Sequence, residues 1–137
     1  MIVLVANLGS TSFKYKLFDI TSDGENVLAQ GSADRIGQDR SSWAIEPTAG
    51  EKREGETALA DHGAAIELHL RELTVARVIA SIDALEAIGF KAVHGGPISG
   101  AVRIDDQVLD TMERFADVAP AHNPPYIAAM RSFAKRL

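Results

Sequence analysis

The chain has no cysteine, so it forms no disulfide and offers no thiolate to a metal. That suits a reducing compartment, and a cytoplasmic location is the expectation. Positive charge is scarce as well. Fourteen Lys and Arg face nineteen Asp and Glu, a net −5 at pH 7 with His neutral. No basic stripe is available to neutralise a polynucleotide, which argues against non-specific nucleic-acid binding. No apolar run approaches the roughly 18 residues needed to span a bilayer. No basic segment precedes the opening apolar run, which therefore reads as a strand rather than a signal peptide. Internal repeats and low-complexity tracts are missing too.

What remains suits one folded domain. A chain of 137 residues can bury roughly two-thirds of its unfolded surface. The 46% hydrophobic content supplies a core rather than a disordered tract.

The first third reads as β-rich. Ile2 to Ala6 is a buried strand candidate, and Phe13 to Ile20 alternates, with Phe13, Tyr15 and Leu17 on one face and Lys14 and Lys16 on the other. Val27 to Ile36 is a third strand candidate. Trp43 to Pro47 and the stretch near Glu51 to Glu56 form either an exposed hairpin or a solvated loop. Asp61 is an N-cap candidate for a helix carrying Ile66, Leu70 and Leu73, and Val75, Val78, Ile79 and Ile82 continue its spacing. Thr74 or Ser81 marks a break. Ala87 to Val93 reads as a strand closed by His94-Gly95-Gly96. A helix starts at Asp105 or Asp106, with Leu109, Met112 and Ala116 inward. A last helix starts at Asn123, whose side chain can cap, with Pro124 at the first helical position and Tyr126, Met130, Phe133 and Leu137 in one stripe. In an α/β domain such a helix normally crosses to another strand, and none follows. The domain is therefore expected to be incomplete at its C-terminal end.

The turn Gly9-Ser10-Thr11-Ser12 carries the most chemistry. It joins two strand candidates, offers backbone N–H groups and three hydroxyls in a small space, and has Lys14 just beyond. This is either a phosphate cradle or an ordinary β-hairpin turn, since Gly and Ser are common in both. His62 and His69, seven apart, are expected on a helix surface. Neither has metal-ligand company. No Ser-His-Asp or Cys-His set is visible.

Three blocks taken together decide between these readings. They are Asn7-Leu8-Gly9-Ser10-Thr11-Ser12-Phe13-Lys14, Ala92-Val93-His94-Gly95-Gly96, and Ala119-Pro120-Ala121-His122-Asn123-Pro124-Pro125. In content and spacing they resemble the amino-terminal part of the acetate kinase family, which includes propionate and butyrate kinases. The resemblance runs from Met1 to about Leu137. It implies an α/β fold of the ribonuclease H-like, actin-like ATPase type, a mixed sheet flanked by helices. Residues 1–137 would form the amino-terminal domain, and the second domain would be absent.

The resemblance further implies phosphoryl transfer between ATP and a short carboxylate, giving an acyl phosphate and ADP, with Mg²⁺. Asn7, Ser10, Ser12 and Lys14 match the family's phosphate- and nucleotide-binding residues, with Asn7 also oriented toward a hydrated metal. His122 matches the histidine that stabilises the transferring phosphoryl group; a structural histidine bonded to backbone is the alternative. The implied partners are a carboxylate and a nucleotide, with a complementary chain or a homodimer left open. A non-catalytic fragment, or a phosphate-binding module that needs a complementary chain, is the competing reading.

Two departures from the family pattern bear on substrate. Lys91 stands where the family typically has the arginine that holds the carboxylate. It keeps the charge and loses the planar fork, so it holds the carboxylate as a point charge or the site binds it loosely. Phe90 likewise replaces a more usual histidine. Ala121 stands where many members carry leucine and, with Val93, lines the acyl pocket. Alanine leaves room for a longer tail unless neighbours refill it.

Overall fold

The computed structural model describes residues 1–91, 96–98, 100–120 and 123–135. Six strands form one mixed sheet in the order β5-β4-β3-β2-β1-β6. They are β1 (Ile2–Leu8), β2 (Phe13–Thr21), β3 (Gly24–Asp34), β4 (Ser41–Pro47), β5 (Arg53–Thr57) and β6 (Ala87–Phe90). The first five run as an antiparallel meander. β6 returns parallel to β1 after a helical crossover, the connection that parallel pairing requires.

Alternation along β1 and β2 sets the two faces of the sheet. Leu4, Ala6, Leu8, Phe13, Tyr15 and Leu17 are buried on one face, while Val5, Asn7, Lys14 and Lys16 are exposed on the other. All three helices seen among the described residues serve the buried face: α1 (His62–Val75), α2 (Asp106–Arg114) and α3 (Asn123–Ala134). α1 packs on β2 and β4, and α3 packs on α1. Ile66, Leu70, Leu73, Tyr126, Ile127, Met130 and Phe133 complete the core. Each such side chain, fully buried, stabilises the fold by about 1.5–3 kcal/mol.

The charged stretch that read as hairpin or loop is a hairpin within the main sheet. Its edge strand β5, Arg-Glu-Gly-Glu-Thr, carries charge along its length, which discourages pairing with another chain. Trp43 packs against the core from β4. Gly31 of β3 permits a close approach: a Cβ there would enter the Tyr15 ring.

The expected caps at Asp61 and Asp105 are present. Each carboxylate accepts from the backbone N–H three residues on, Ala64 at 2.8 Å and Val108 at 2.9 Å. α1 stops at Val75, although Val78, Ile79 and Ile82 keep its spacing. The chain turns at Arg77, which has a φ of 57°. The Arg77 N–H donates to the Thr74 carbonyl at 3.0 Å, and the Val78 N–H donates to the Leu73 carbonyl at 3.0 Å. That pair of bonds is the Schellman termination, here without the usual glycine. Ser81 then precedes a single 3₁₀ turn, Ile82–Ala84.

One expectation needs correction. His62 and His69 do not lie on a helix surface: they are 6% and 1% exposed. Asn123 is fully buried, and its Nδ2 donates to the Met112 carbonyl at 3.1 Å, tying the end of α2 to the start of α3. The α3 stripe of Tyr126, Met130 and Phe133 is buried as expected, and Ala116 lies beyond the end of α2. Val93 and Leu137 fall outside the described residues.

Candidate functional site

The β1–β2 register places Asn7 directly opposite Lys14, both on the open face of the sheet. The four-residue loop that joins them carries Ser10 and Ser12. Four of the predicted residues therefore gather at one end of two adjacent strands. The cause is local: alternation sends residues 7 and 14 to the same face, and a short loop keeps residues 10 and 12 beside them.

Backbone bonding orients the loop. The Gly9 N–H donates to the Ser12 carbonyl at 2.9 Å, closing the turn. The Ile36 N–H donates to the Thr11 carbonyl at 2.9 Å. The His62 Nε2 lies 2.8 Å from the Gly9 carbonyl oxygen and 3.2 Å from that of Ser12. Three of the four loop carbonyls are thus bound to the body of the protein. The N–H groups of Ser10, Thr11 and Ser12 have no acceptor among the described residues. Ser10 and Thr11 are exposed and Ser12 is half-buried. A loop with its carbonyls tied back, its amides unpaired and a lysine alongside is electropositive without any basic cluster.

Close packing inside the loop fixes one hydroxyl. The Ser12 Oγ occupies the space that a Cβ on Gly9 would need. Glycine at position 9 is what lets the Ser12 hydroxyl fold across the turn.

The open face also holds a concavity of about 400 Å³ that takes in Asn7, Lys14, Lys16, Gln30, Ser32 and Glu46. It stops short of Ser10 and Ser12. The loop lies at its rim, not on its floor.

Lys91 follows β6 directly. Its N–H donates to the Ala6 carbonyl at 3.2 Å, and β6 pairs Phe90 with Ala6, which brings Lys91 level with Asn7 on the far side of β1. Lys91 is exposed, whereas Phe90 turns inward and meets Phe133 edge to face at 5.5 Å between ring centroids. Val93, Ala121 and His122 lie outside the described residues. The residue after His122 is placed: Asn123 opens α3. The buried Tyr126 phenol of its first turn is raised above its ordinary pKa by burial, and the Leu8 backbone beside it partly offsets this. That contact brings the start of α3 to the end of β1, next to Gly9.

Behind the site, on the helix side, His69 packs edge-on against Phe13, Tyr15 and Trp43. Its Nδ1 lies 3.2 Å from the Tyr15 hydroxyl. Burial lowers its pKa to about 4, against smaller opposing effects of the Ser32 backbone and Glu72, and burial also raises the Tyr15 phenol. Both groups are neutral at physiological pH and serve packing.

Sequence reasoning missed His62 and Ile36 as supports of the loop. His62 carried a signal: residues 62, 66, 69, 70 and 73 follow helical spacing, so both histidines belong to the buried stripe. The Ile36 contact spans two sheet turns and left no local trace.

Among the described residues no group of three or more His, Asp and Glu is placed to hold a metal, and no helix is long and apolar enough to cross a membrane. Asn7 offers a neutral side-chain oxygen beside the loop. That fits outer-sphere contact with a hydrated Mg²⁺, which is held mainly by nucleotide phosphates and water.

Comparison with known proteins agrees with this geometry. Residues 2–137 match the family model of the Acetokinase family. The acetate kinase of Thermosipho africanus is 41% identical over 140 residues, covering all of this chain and 34% of that protein. The acetate kinase of Oceanobacillus iheyensis is 36% identical over 136 residues. The crystal structure of Porphyromonas gingivalis acetate kinase superposes with a TM-score of 0.88 at 34% identity, over 98% of this chain and 34% of that one. A propionate kinase from Francisella tularensis gives a TM-score of 0.79 at 26% identity, over 96% of this chain and 33% of that one. The chain spans about a third of the length of the relatives it matches.

Proposed function

The chain belongs to the acetokinase family, and from that premise we propose that it is the amino-terminal part of a short-chain carboxylate kinase, its β1–β2 loop gripping the nucleotide's terminal phosphates. The observation that carries this reading is the loop itself: carbonyls of Gly9, Thr11 and Ser12 bound backward, and amides of Ser10, Thr11 and Ser12 with no acceptor among the described residues, beside Asn7 and Lys14.

The reaction exchanges one P–O bond for another. A carboxylate oxygen of acetate or propionate attacks the γ-phosphorus of ATP, the bond to the β-phosphate oxygen breaks, and ADP leaves with the electron pair. The carboxylate is already ionised at neutral pH and needs little help from a base. The barrier is electrostatic, because two anions must meet in line. The loop amides, the Ser10 and Ser12 hydroxyls and Lys14 lower it by holding phosphate oxygens. Asn7 orients phosphate or the hydrated metal. Lys91 draws in the carboxylate, His122 donates to the phosphoryl oxygens in flight, and Val93 and Ala121 line the acyl pocket. Mg²⁺, when bound with the nucleotide, would supply neutralisation of charge on the phosphates, with Asn7 placed to contact its hydration shell.

The second reading is a phosphate-binding module that acts only with a complementary chain. A homodimer is its other form. A hydroxylamine trap separates the readings. Acyl hydroxamate formed from ATP, Mg²⁺ and acetate by this chain alone supports a self-sufficient kinase. Phosphate binding without hydroxamate supports the module. The absence of cysteine agrees with a cytoplasmic setting for either.

A further inference from the structure

His62 takes no part in the chemistry assigned above, yet it touches both ends of the loop. It is the first residue of α1, directly after the cap Asp61, and its ring is buried. One nitrogen, Nε2, faces two carbonyl oxygens, Gly9 at 2.8 Å and Ser12 at 3.2 Å. Carbonyl oxygens only accept, so Nε2 must carry the proton and donate to both. The two acceptors flank Ser10 and Thr11. A single N–H therefore spans the base of the turn.

We propose that His62 is a positioning residue for the phosphate-gripping loop: its Nε2–H donates to the Gly9 and Ser12 carbonyls, which turns the Ser10 amide toward the incoming anion and holds the two ends of the turn together. The inference rests on the phosphate-binding reading of the loop. The mechanism is preorganisation. A peptide unit has two ends, and fixing its carbonyl toward the protein fixes its N–H the opposite way. The Gly9 carbonyl governs the Ser10 amide, and the Thr11 carbonyl, held by the Ile36 N–H, governs the Ser12 amide. Freed from these bonds, the loop would sample other orientations, and phosphate would bear the ordering cost on binding. The helix that carries His62 is itself anchored. Asp61 caps it, and at Gly63 an added Cβ would lie 3.3 Å from the Ser132 Oγ of α3. His62 thus links the position of two helices to the shape of a loop on the sheet.

Two substitutions separate the donor from the ring. His62→Phe keeps a buried ring and removes the N–H, whereas His62→Gln keeps an N–H donor and removes the ring. Inorganic phosphate is titrated into the chain and the Ser10–Ser12 amides are followed by NMR. ¹⁵N relaxation of residues 9–12 reports loop order without ligand, and long-range ¹H–¹⁵N spectra report the imidazole tautomer. Expected are an Nε2–H ring in the wild type, greater loop mobility and about tenfold weaker phosphate binding in His62→Phe, and near wild-type behaviour in His62→Gln. Unchanged loop order and phosphate affinity in His62→Phe, or an Nδ1–H ring in the wild type, overturns the proposal. If His62→Phe does not fold, the tautomer and the His62→Gln affinity decide: a large loss in His62→Gln overturns it. If the wild type takes no phosphate but His62→Phe still loosens the loop, the positioning role stands and the phosphate reading falls.

Discussion

The Ser12 Oγ sits where a side chain on Gly9 would begin, so the identity of one residue fixes the hydroxyl of the other. Gly9→Ala should push the Ser12 hydroxyl out of the turn while leaving the flanking strands paired. A hydrogen bond to a charged group contributes about 1.5–3 kcal/mol, so losing it should weaken phosphate binding roughly tenfold or more. Calorimetric titration of inorganic phosphate measures this. Adding Ser12→Ala to Gly9→Ala should cost no further affinity, because the hydroxyl has already been displaced. A full second loss would mean that Ser12 still binds from its new position.

His69 makes stability depend on pH. Its pKa is about 4 in the folded chain and about 6.5 when unfolded. Between those values the unfolded chain takes up a proton that the folded chain refuses. Stability therefore falls as pH drops below about 6.5 and levels off below about 4, for a loss on the order of 3 kcal/mol. Above pH 6.5 this contribution is complete. Urea unfolding across the range should show the slope in the wild type and a flatter one in His69→Gln. The difference between the two isolates the imidazole from carboxylates that titrate nearby. Parallel curves would place the titration elsewhere.

Alternation made the opening of the fold legible. Phe13, Tyr15 and Leu17 against Lys14 and Lys16 has no other simple reading, whereas the pairing of Asn7 with Lys14 is seen only in the strand register. The resemblance carried by Asn7 through Lys14 pointed to phosphate. The chain's own support for that loop was harder to see. Ile36 and His62 lie 25 and 50 residues beyond Thr11 and Ser12 in the chain, and such contacts depend on how the sheet and α1 pack. Polar side chains usually face outward, which favours a surface place for the two histidines. Their helical spacing with Ile66 and Leu73 argued the opposite, and packing obeyed the spacing. The end of α1 was obscured for a different reason. Val78 and Ile79 continue the apolar rhythm, but the backbone reverses at an arginine, which does not announce a left-handed turn.

That reversal leads to a substitution that should stabilise. Arg77 holds a φ of 57°, a region that costs most L residues about 1 kcal/mol or more and glycine little. Arg77 has no ion pair among those formed by the described residues. Arg77→Gly should raise stability by roughly 0.5–1 kcal/mol, the relief of strain being partly offset by the freer unfolded chain. A higher urea midpoint with unchanged slope is the expected result. A lower midpoint would show that the arginine stem packs usefully over the helix end.

The proposed role of Ala121, small where the family resemblance leads one to expect leucine, predicts an acyl preference. In the proposed reading Ala121 and Val93 line the acyl pocket, and alanine there would leave space for an extra methylene on the substrate. Each buried CH₂ contributes about 0.8 kcal/mol, close to fourfold in binding. A complete kinase carrying this segment should therefore use propionate at least as well as acetate when both compete for one pool of ATP. Ala121→Leu should restore acetate preference, chiefly through a higher KM for propionate, since the reacting carboxylate is untouched. The charge at Lys91 gives an independent check. Lys91→Arg should tighten both acids alike, because a planar fork reads the carboxylate and not the tail. Strong acetate preference in the unsubstituted enzyme would mean that neighbouring side chains fill the space beside Ala121, and the argument from its size would fail while that from Lys91 could still be tested.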